Sequence, residues 1–332
     1  MVLLKKIATI AMAAMVIQTP LHAAETDFFK DKRMTYIVAT NAGGGYDAYG
    51  RLIGKYLEKH LEAGNVLINN IPGAGHIIGT NTLWKAKPDG LTIGTFDVSL
   101  IYSQILGRDS VRFDLKEFEY IGKAAGEART VIVSTQCDIK TVDDLLNAKT
   151  PVKVAASGVG SSNYNDTQLL KEALDLNIET IAGYDGTEGE MAMMRGEVCL
   201  QVGSASSYLE FVNSGYATYL LAIGGDVKGA TRVEDIVKTD KAKKIVSLIA
   251  AMSQVGRLTA APPGTPKDRV EALRAAYKES LEDADLQAEA KKMKRPLDPA
   301  YGEDVRKLIL DALDQNPETV EIITRAIGGG KS

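Results

Sequence analysis

Three glycine-rich segments carry the residue types best suited to binding chemistry, at residues 42–46, 73–76 and 158–163. Each follows an apolar, strand-forming run and precedes a run with helical periodicity. Glycine lets successive backbone N–H groups point in one direction, and the helix that follows adds partial positive charge. A carboxylate that leaves water needs such donors, because burying an unpaired charge is prohibitive. The pattern predicts amide-lined loops at one end of the strands, where α/β sheets bind ligands; the alternative is three tight turns.

Polar and aromatic side chains in and near these loops could complete a binding site. Asp47 has two interpretations, because it could support the first loop from behind or contact an amino or hydroxyl group of a ligand. Tyr46 and Tyr49 could wall the pocket of a larger or aromatic acid, and His76 could add a donor. The predicted ligand-binding residues are Gly43, Gly44, Gly45, Tyr46, Asp47, Gly73, Ala74, Gly75, His76, Gly160, Ser161, Ser162, Asn163, Tyr184, Thr187 and Ser204.

The second loop also resembles a dinucleotide-binding fingerprint. Gly73, Gly75 and Gly79 follow G-x-G-x-x-G, except that the last spacing is one residue too long. A phosphate-binding G-x-x-x-x-G-K-[ST] motif does not occur. Asp97 follows Gly75 at roughly the distance of a ribose contact. An exported enzyme that uses a nucleotide or phosphate is therefore kept as an alternative.

The first 23 residues have the three-part layout of a secretory signal peptide. Lys5 and Lys6 precede an apolar run at residues 7–17 that is too short to span a bilayer. The alternative is a buried N-terminal helix. We expect export, cleavage near Ala23 and a periplasmic protein, with roughly 309 residues left for two domains.

Composition argues against several other kinds of site. Without Lys5 and Lys6, 37 basic and 43 acidic side chains remain, and no basic block suggests nucleic acid as a partner. After the leader, His60 and His76 are the two histidines, and Cys137 and Cys199 lack metal-ligand spacing. The chain therefore has too few histidines for histidine-based catalysis or for a histidine-metal site. We expect no catalytic residues, no metal and no cofactor.

Strands alternate with helices along most of the chain, which predicts an α/β fold. The predicted strands of two α/β units lie at residues 35–39, 66–68, 91–95, 130–134, 152–156, 178–182 and 199–203. We assign residues 24–123 to the first part of domain 1 and residues 124–219 to domain 2. A strand at residues 220–224 begins a return to domain 1 that extends over residues 220–332, with C-terminal helices that could cross to domain 2. Two such units form a hinged clamshell with a ligand cleft between them.

Seven short segments, spread over nearly the whole predicted mature chain, occur together in one known family. They are residues 42–51, 70–79, 87–90, 112–118, 158–161, 183–187 and 261–266. In these segments the chain resembles the periplasmic solute receptors of tripartite tricarboxylate transporters, also called the Bug family. Any one segment would be weak evidence, but all seven in register are specific.

This resemblance implies a type II periplasmic-binding-protein, or Venus flytrap, fold, with each domain a mixed, mostly parallel sheet flanked by helices. It also implies a monomer that closes on a small organic acid and delivers it to membrane permease subunits. Gly45, Tyr46 and Tyr49 depart from the commonest pattern, as does His76 in place of a third glycine. The ligand therefore stays open between di- or tricarboxylates and aromatic acids, and a receptor read by a signalling partner is an alternative.

The same implied fold bears on the two cysteines. It places the strand at residues 130–134 antiparallel to the strand that begins near Cys199. The end of one strand then lies beside the start of the other, so Cys137 and Cys199 could form a disulfide in an oxidising compartment. The alternative is two separate thiols.

Overall fold

The computed structural model describes residues 27–328, so the predicted signal peptide at residues 1–23 lies outside the described range. The strands are β1 (Arg33–Val38), β2 (Asn65–Asn70), β3 (Thr92–Thr95), β4 (Glu119–Lys123), β5 (Arg129–Ser134), β6 (Val152–Ala156), β7 (Ile178–Ala182), β8 (Leu200–Ser204), β9 (Ala217–Ile223), β10 (Thr231–Arg232), β11 (Leu258–Ala261) and β12 (Ala300–Tyr301). They form two six-stranded sheets.

Helices connect these strands. They are α1 (Gly45–His60), α2 (Ile77–Trp84), α3 (Leu100–Ile105), α4 (Val142–Leu146), α5 (Ser162–Leu174), α6 (Glu188–Met194), α7 (Ala205–Asn213), α8 (Val233–Ile236), α9 (Asp240–Ser253), α10 (Lys267–Glu282), α11 (Ala284–Lys292), α12 (Gly302–Leu313) and α13 (Pro317–Ile327). Between residues 27 and 328, no helix combines the length and the apolar character that crossing a membrane requires.

The first sheet has the strand order β12-β4-β11-β3-β1-β2. β1 is parallel to β2 and β3, whereas β11 is antiparallel to β3 and β4. Helices α1 and α10 pack together on this sheet and bury large side chains such as Tyr49, Leu57 and Tyr277. Because β1, β2 and β3 run in the same direction, the loops that follow them emerge at one edge of the sheet. The first two glycine-rich loops are therefore neighbours.

The second sheet has the strand order β10-β9-β5-β8-β6-β7. β6 is parallel to β7 and β8, whereas β5 is antiparallel to β8 and β9. The loops after β6, β7 and β8 again share one edge, and this edge faces the loops of the first sheet. The predicted two-domain α/β architecture, with a mixed sheet in each domain, is confirmed.

The predicted return to the first domain at residue 220 is wrong for the strand concerned. β9 lies in the second sheet, where it pairs with β5 from Arg129 opposite Ile223 to Ser134 opposite Ala217. Helix α9 then packs against α5, so the chain crosses back only between α9 and β11. The apolar run at residues 220–223 indicates a buried strand, but hydrophobicity does not specify which sheet the strand joins.

The C-terminal helices divide between the two domains. α12 packs against β4 of the first sheet, whereas α13 packs against α5 of the second domain. Two ion pairs accompany this contact, Arg325 with Glu172 at 2.8 Å and Lys244 with Glu318 at 2.6 Å. The last helix therefore crosses to the second domain.

A disulfide joins Cys137 to Cys199, with their Cα atoms 5.7 Å apart. Cys137 follows β5 and Cys199 precedes β8, and these strands are antiparallel, with Val133 opposite Leu200. The register brings the end of β5 beside the start of β8. The link closes a loop with a sequence separation of 62 residues.

Replacing both cysteines by serine should lower the free energy of unfolding by about 2–4 kcal/mol, because the open chain regains loop entropy when it unfolds. Urea denaturation of the wild type and the double variant measures this difference. Reduction of the wild type should produce a similar loss, whereas the double variant should not respond to reductant. Equal stability of wild type and variant would contradict the expectation.

Candidate functional site

A cavity lies between the two sheets, at the edges from which the glycine-rich loops emerge. The first domain contributes Gly44, Tyr46 and His76 to its wall, and the second domain contributes Asn163 and Thr187. Its volume is about 110 Å³ on a scale where one water needs roughly 10–15 Å³. The cavity therefore has room for a small organic molecule.

The two domains touch each other around this cavity. The Ser162 hydroxyl donates to Asp97 Oδ2 at 2.7 Å, and the Asn41 N–H donates to Asp185 Oδ2 at 2.9 Å. These hydrogen bonds connect the first domain to the second. The structure is therefore a closed arrangement, in which a molecule in the cavity contacts both domains.

Several helix N-termini open onto the cavity, among them those of α1, α2 and α7. Gly44, His76 and Ser204 are the N-cap residues of α1, α2 and α7, and all three line the cavity wall. Gly44 has no side chain, and the side chains of His76 and Ser204 accept no hydrogen bond from the first turn of their own helices. First-turn N–H groups lack a partner within the helix, and the helix dipole adds partial positive charge there. At α2 the first amides donate to the Gly73 and Ala74 carbonyls, and at α7 the Ser206 N–H donates to Glu127. The free donors that this part of the wall offers to an anion are therefore the amides at the start of α1.

Asp47 supports the first loop from behind. Its carboxylate accepts hydrogen bonds from the Gly43 N–H at 2.9 Å, from Arg51 Nε at 2.9 Å and from Asn70 Nδ2 at 3.0 Å. Burial acts to raise the pKa of Asp47, but these donors bring that pKa below its ordinary value. Asp47 does not line the cavity, so of its two interpretations the structure favours the supporting one.

The two tyrosines of the first loop differ in their placement. Tyr46 lines the cavity, and the Arg257 guanidinium lies 4.4 Å from the centre of its ring. Tyr49 is buried, and its hydroxyl donates to the Pro296 carbonyl at 2.6 Å. Tyr46 therefore belongs to the wall, whereas Tyr49 packs beneath it and does not line the cavity.

The second and third glycine loops meet each other beside the central cavity. Gly73, Ala74 and Gly75 line an adjoining cavity together with Gly158, and both cavities share His76. A Cβ on Gly75 would lie 2.7 Å from the Val159 carbonyl oxygen, so the loops approach too closely for a side chain. The three loops thus converge on connected spaces, with the first loop at the centre.

Nine of the predicted binding residues line the central cavity: Gly43, Gly44, Gly45, Tyr46, His76, Ser162, Asn163, Thr187 and Ser204. Seven do not: Asp47, Gly73, Ala74, Gly75, Gly160, Ser161 and Tyr184. The Ser161 side chain instead caps α5, because it accepts from the Tyr164 N–H. The Tyr184 hydroxyl contacts Glu197 at 3.4 Å, and the Gly160 carbonyl accepts from Ser99.

Two arginines of the cavity wall are absent from the sequence prediction. Arg129 donates to Asp166 at 2.6 Å and to the Ser204 hydroxyl at 3.1 Å. Arg257 donates to the Ser207 hydroxyl at 3.2 Å. Both are buried, with 9% and 5% of their surfaces exposed. They add positive charge to the donor-rich wall.

Their position in the chain is the signal that could have identified them. Arg129 begins β5 and Arg257 immediately precedes β11, the first strands after two of the chain's crossings between domains. A chain that crosses between two domains passes the back of the cleft. A charged residue at the start of such an apolar strand is therefore a candidate for the cleft wall.

Asp97 and His76 form a second polar group in the wall. The Asp97 carboxylate accepts from the Ser99 N–H and the Ser162 hydroxyl, each at 2.7 Å, and His76 Nε2 lies 3.8 Å away. Burial acts to raise the pKa of Asp97, but His76 and the two serines outweigh it and hold the pKa below its ordinary value. The carboxylate is therefore ionised and its oxygens are engaged.

Glu190, unlike Asp97, is a cavity carboxylate whose pKa is raised. It lines the cavity from α6, and burial raises its pKa to about 7. No basic side chain among the described residues forms an ion pair with it within 4.0 Å. Its negative charge is therefore costly at neutral pH in this closed arrangement.

The described part of the chain contains no group of three or more histidine, cysteine, aspartate or glutamate side chains able to hold a metal ion. Asp97 and Asp185 of the cavity wall are instead engaged by serine and backbone donors.

Comparison with known proteins assigns the chain to a family. Residues 50–324 match the family described as "Tripartite tricarboxylate transporter family receptor". The chain belongs to this family. It is 24% identical to a UPF0065 protein of Cupriavidus necator, over 83% of this chain and 81% of that protein. A match to a UPF0065 protein of Agrobacterium vitis reaches 27% identity and spans about half the length of each chain.

Solved structures share the fold of this receptor. The periplasmic binding protein BugD superposes with a TM-score of 0.73 at 22% identity, covering 90% of this chain and 98% of BugD. MatC of Rhodopseudomonas palustris, solved with malate, gives a TM-score of 0.70 at 19% identity, covering 88% and 99%. An R. palustris protein solved with adipate gives 0.68 at 18% identity, covering 90% and 97%. The two-domain type II fold of periplasmic binding proteins is confirmed.

The family consists of periplasmic solute receptors and not of enzymes. This finding removes the alternative of an exported enzyme that uses a nucleotide or phosphate. It also supports a periplasmic location for the receptor.

The raised pKa of Glu190 predicts a pH-dependent stability. Its pKa rises from 4.5 to about 7 on folding, so folding takes up a proton between these values and stability falls as the pH rises through that window. Glu190→Gln should remove this loss and stabilise the protein by about 2 kcal/mol at pH 8, but very little at pH 4.5.

Urea denaturation at both pH values measures the effect. Glu179→Gln on β7 is the matched control, because it removes the same charge from an exposed position. An equal effect of Glu190→Gln at both pH values would contradict the burial of an unpaired carboxylate.

Proposed function

We propose that this protein is an exported receptor that captures a small organic carboxylate in the interdomain cavity and delivers it to the permease of a tripartite tricarboxylate transporter. The observation that carries this proposal is the convergence of the N-termini of α1, α2 and α7 on one cavity, with the free amides of α1 at its wall. The first amides of α1, at Gly45 and Tyr46, have no acceptor among residues 27–328, and such amides are the donors that a desolvated carboxylate requires.

The ligand is a di- or tricarboxylate or an aromatic acid. Two proteins with the same fold were solved with malate and with adipate, which are small carboxylates. In this chain the amides at Gly44 and Gly45 would receive one carboxylate. Ser162, Asn163 and Thr187 border the same space and would add side-chain donors.

The two arginines would set the charge of the inner wall. Arg129 and Arg257 both line a smaller inner space that continues from the cavity past Tyr46. A buried guanidinium attracts a carboxylate more strongly than an exposed one, because water does not screen it. A second carboxylate or an aromatic ring would extend toward this end.

Closure of the two domains couples capture to delivery. The contacts of Asn41 with Asp185 and of Ser162 with Asp97 form only when the domains meet. A ligand that touches both domains stabilises the closed arrangement by its differential affinity for it. The permease would then recognise the closed receptor.

Export rests on the signal-peptide pattern of residues 1–23. The disulfide between Cys137 and Cys199 suits an oxidising compartment such as the periplasm.

A thermal-shift screen of the mature protein tests the proposal. Succinate, malate, adipate, citrate and benzoate at millimolar concentration form the panel, with glucose and inorganic phosphate as controls. A bound acid should raise the melting temperature in a concentration-dependent way. Isothermal titration then gives the affinity. The absence of a shift with every carboxylate would overturn the proposed function.

Gly45→Ala should weaken ligand binding at least tenfold. A Cβ at this position would lie 2.6 Å from Ser207 Oγ and 2.7 Å from Arg257 Nη2, so it opposes domain closure and displaces Arg257. Alanine itself is favourable at the start of a helix. Titration with the best acid from the screen measures the affinity.

The double variant Gly45→Ala/Ser207→Ala removes one of the two close contacts. Its affinity should lie between those of the single glycine variant and the wild type. Unchanged affinity in Gly45→Ala would show that this approach of the domains is not needed for binding.

A further inference from the structure

One corner of the cavity offers hydrogen-bond acceptors in place of donors. Glu190 of α6 and Gln201 of β8 both line the cavity, and we call this pair the acceptor corner. The two residues are close in space, because a Cβ on Gly189, which precedes Glu190, would lie 2.8 Å from Gln201 Oε1. Glu190 Oε2 and Gln201 Oε1 are buried, and neither has a hydrogen-bond partner among residues 27–328.

The other carboxylates of the cavity wall do have partners. Asp97 accepts from Ser99 and Ser162, and Asp185 accepts from the Asn41 N–H. A buried acceptor without a donor is unfavourable, and a charged one is more so. Water does not reach the two acceptor oxygens in the closed arrangement. A molecule that enters before closure can supply the donor that water cannot.

The charge balance of the wall points in the same direction. Of the described residues that line the cavity, three carry carboxylates (Asp97, Asp185 and Glu190) and two carry guanidiniums (Arg129 and Arg257). Arg129 is already paired with Asp166 at 2.6 Å, and Arg257 lies 3.5 Å from Glu127. A ligand with only negative charges would face Glu190 without compensation. A ligand that also has a positive group would not.

We propose that the ligand is an organic acid with a protonated amine, whose carboxylate lies at the helix N-termini and whose ammonium group donates to Glu190 and Gln201. This inference rests on the proposed function and specifies the ligand within it. An ammonium group has three donors and no acceptor, which matches a corner made of two acceptor oxygens. The wall thus has a donor-rich side and an acceptor side, which suits a zwitterionic ligand.

Matched pairs of acids that differ by one amine test the inference by isothermal titration at pH 8. The pairs are succinate with aspartate and glutarate with glutamate, and malate replaces the amine by a neutral hydroxyl. The amino acid of at least one pair should bind at least tenfold more tightly than its amine-free partner. It should also bind more tightly than malate.

Variants of the acceptor corner assign the preference to its residues. Glu190→Gln should reduce the affinity for the amino acid at least tenfold and leave the amine-free acid unchanged or more tightly bound. Gln201→Leu should reduce the affinity for the amino acid by a smaller factor. Glu179→Gln, an exposed carboxylate outside the cavity, is the control and should change neither affinity.

The possible results separate this inference from the proposed function. Amine-free acids that bind as tightly as their amino partners would overturn the inference and leave the receptor function intact. An amine preference that survives Glu190→Gln would overturn the role of the acceptor corner. Failure of every acid to bind would overturn the receptor function itself, and the inference with it.

Discussion

The amides in the first turn of a helix have no acceptor within that helix, and this deficit is the constraint on which the cleft depends. Elsewhere in the chain, side chains satisfy such amides, as Thr141, Thr239 and Asn316 do for α4, α9 and α13. At α1, α2 and α7 the N-cap side chain does not do so, and all three helix ends border the same cavity. Loop carbonyls accept from the first amides of α2, and Glu127 accepts from the Ser206 N–H of α7, so the free backbone donors at the cavity are those of α1.

Strand direction explains why these ends meet. In each sheet, parallel strands deliver their following loops to one edge, and the closed arrangement sets the two edges against each other. Glycine is required where the loops approach most closely, as at Gly75 beside the Val159 carbonyl. Asp47 then fixes the first loop by accepting the Gly43 N–H from outside the cavity. Topology, chain flexibility and one buried carboxylate together shape the donor wall.

Local sequence signals were sufficient to predict the fold class and most of the donor wall. The strand–glycine–helix pattern identified the first loop and, with it, the residues of both domains that border the cavity, such as Gly44 and Asn163. The pattern also predicted Gly73 and Ala74 as wall residues, but these line the adjoining cavity. Local spacing shows that a loop lies at the correct edge, but not which loop occupies the centre.

Features that depend on distant parts of the chain could not be predicted in this way. Arg129 and Arg257 face the cavity because the chain crosses between the domains beside them. The residues next to them in the sequence do not indicate where the chain crosses. β9 has an apolar pattern that fits either sheet, and its pairing with β5 places it in the second. The residues around Glu190 in the sequence have an ordinary amphipathic pattern. Its raised pKa comes from burial in the folded protein.

Because α13 packs on the second domain, the molecule has a third chain connection, or strap, between its two domains. Within residues 27–328 the chain passes between the domains after β4, after α9 and after α12. Two straps alone leave the halves free to twist as well as to bend. We expect a third, held by the ion pair of Arg325 with Glu172, to restrain the twist and to leave bending about one axis as the easiest motion. The facing loops of the two domains should therefore meet in the same register at every closure.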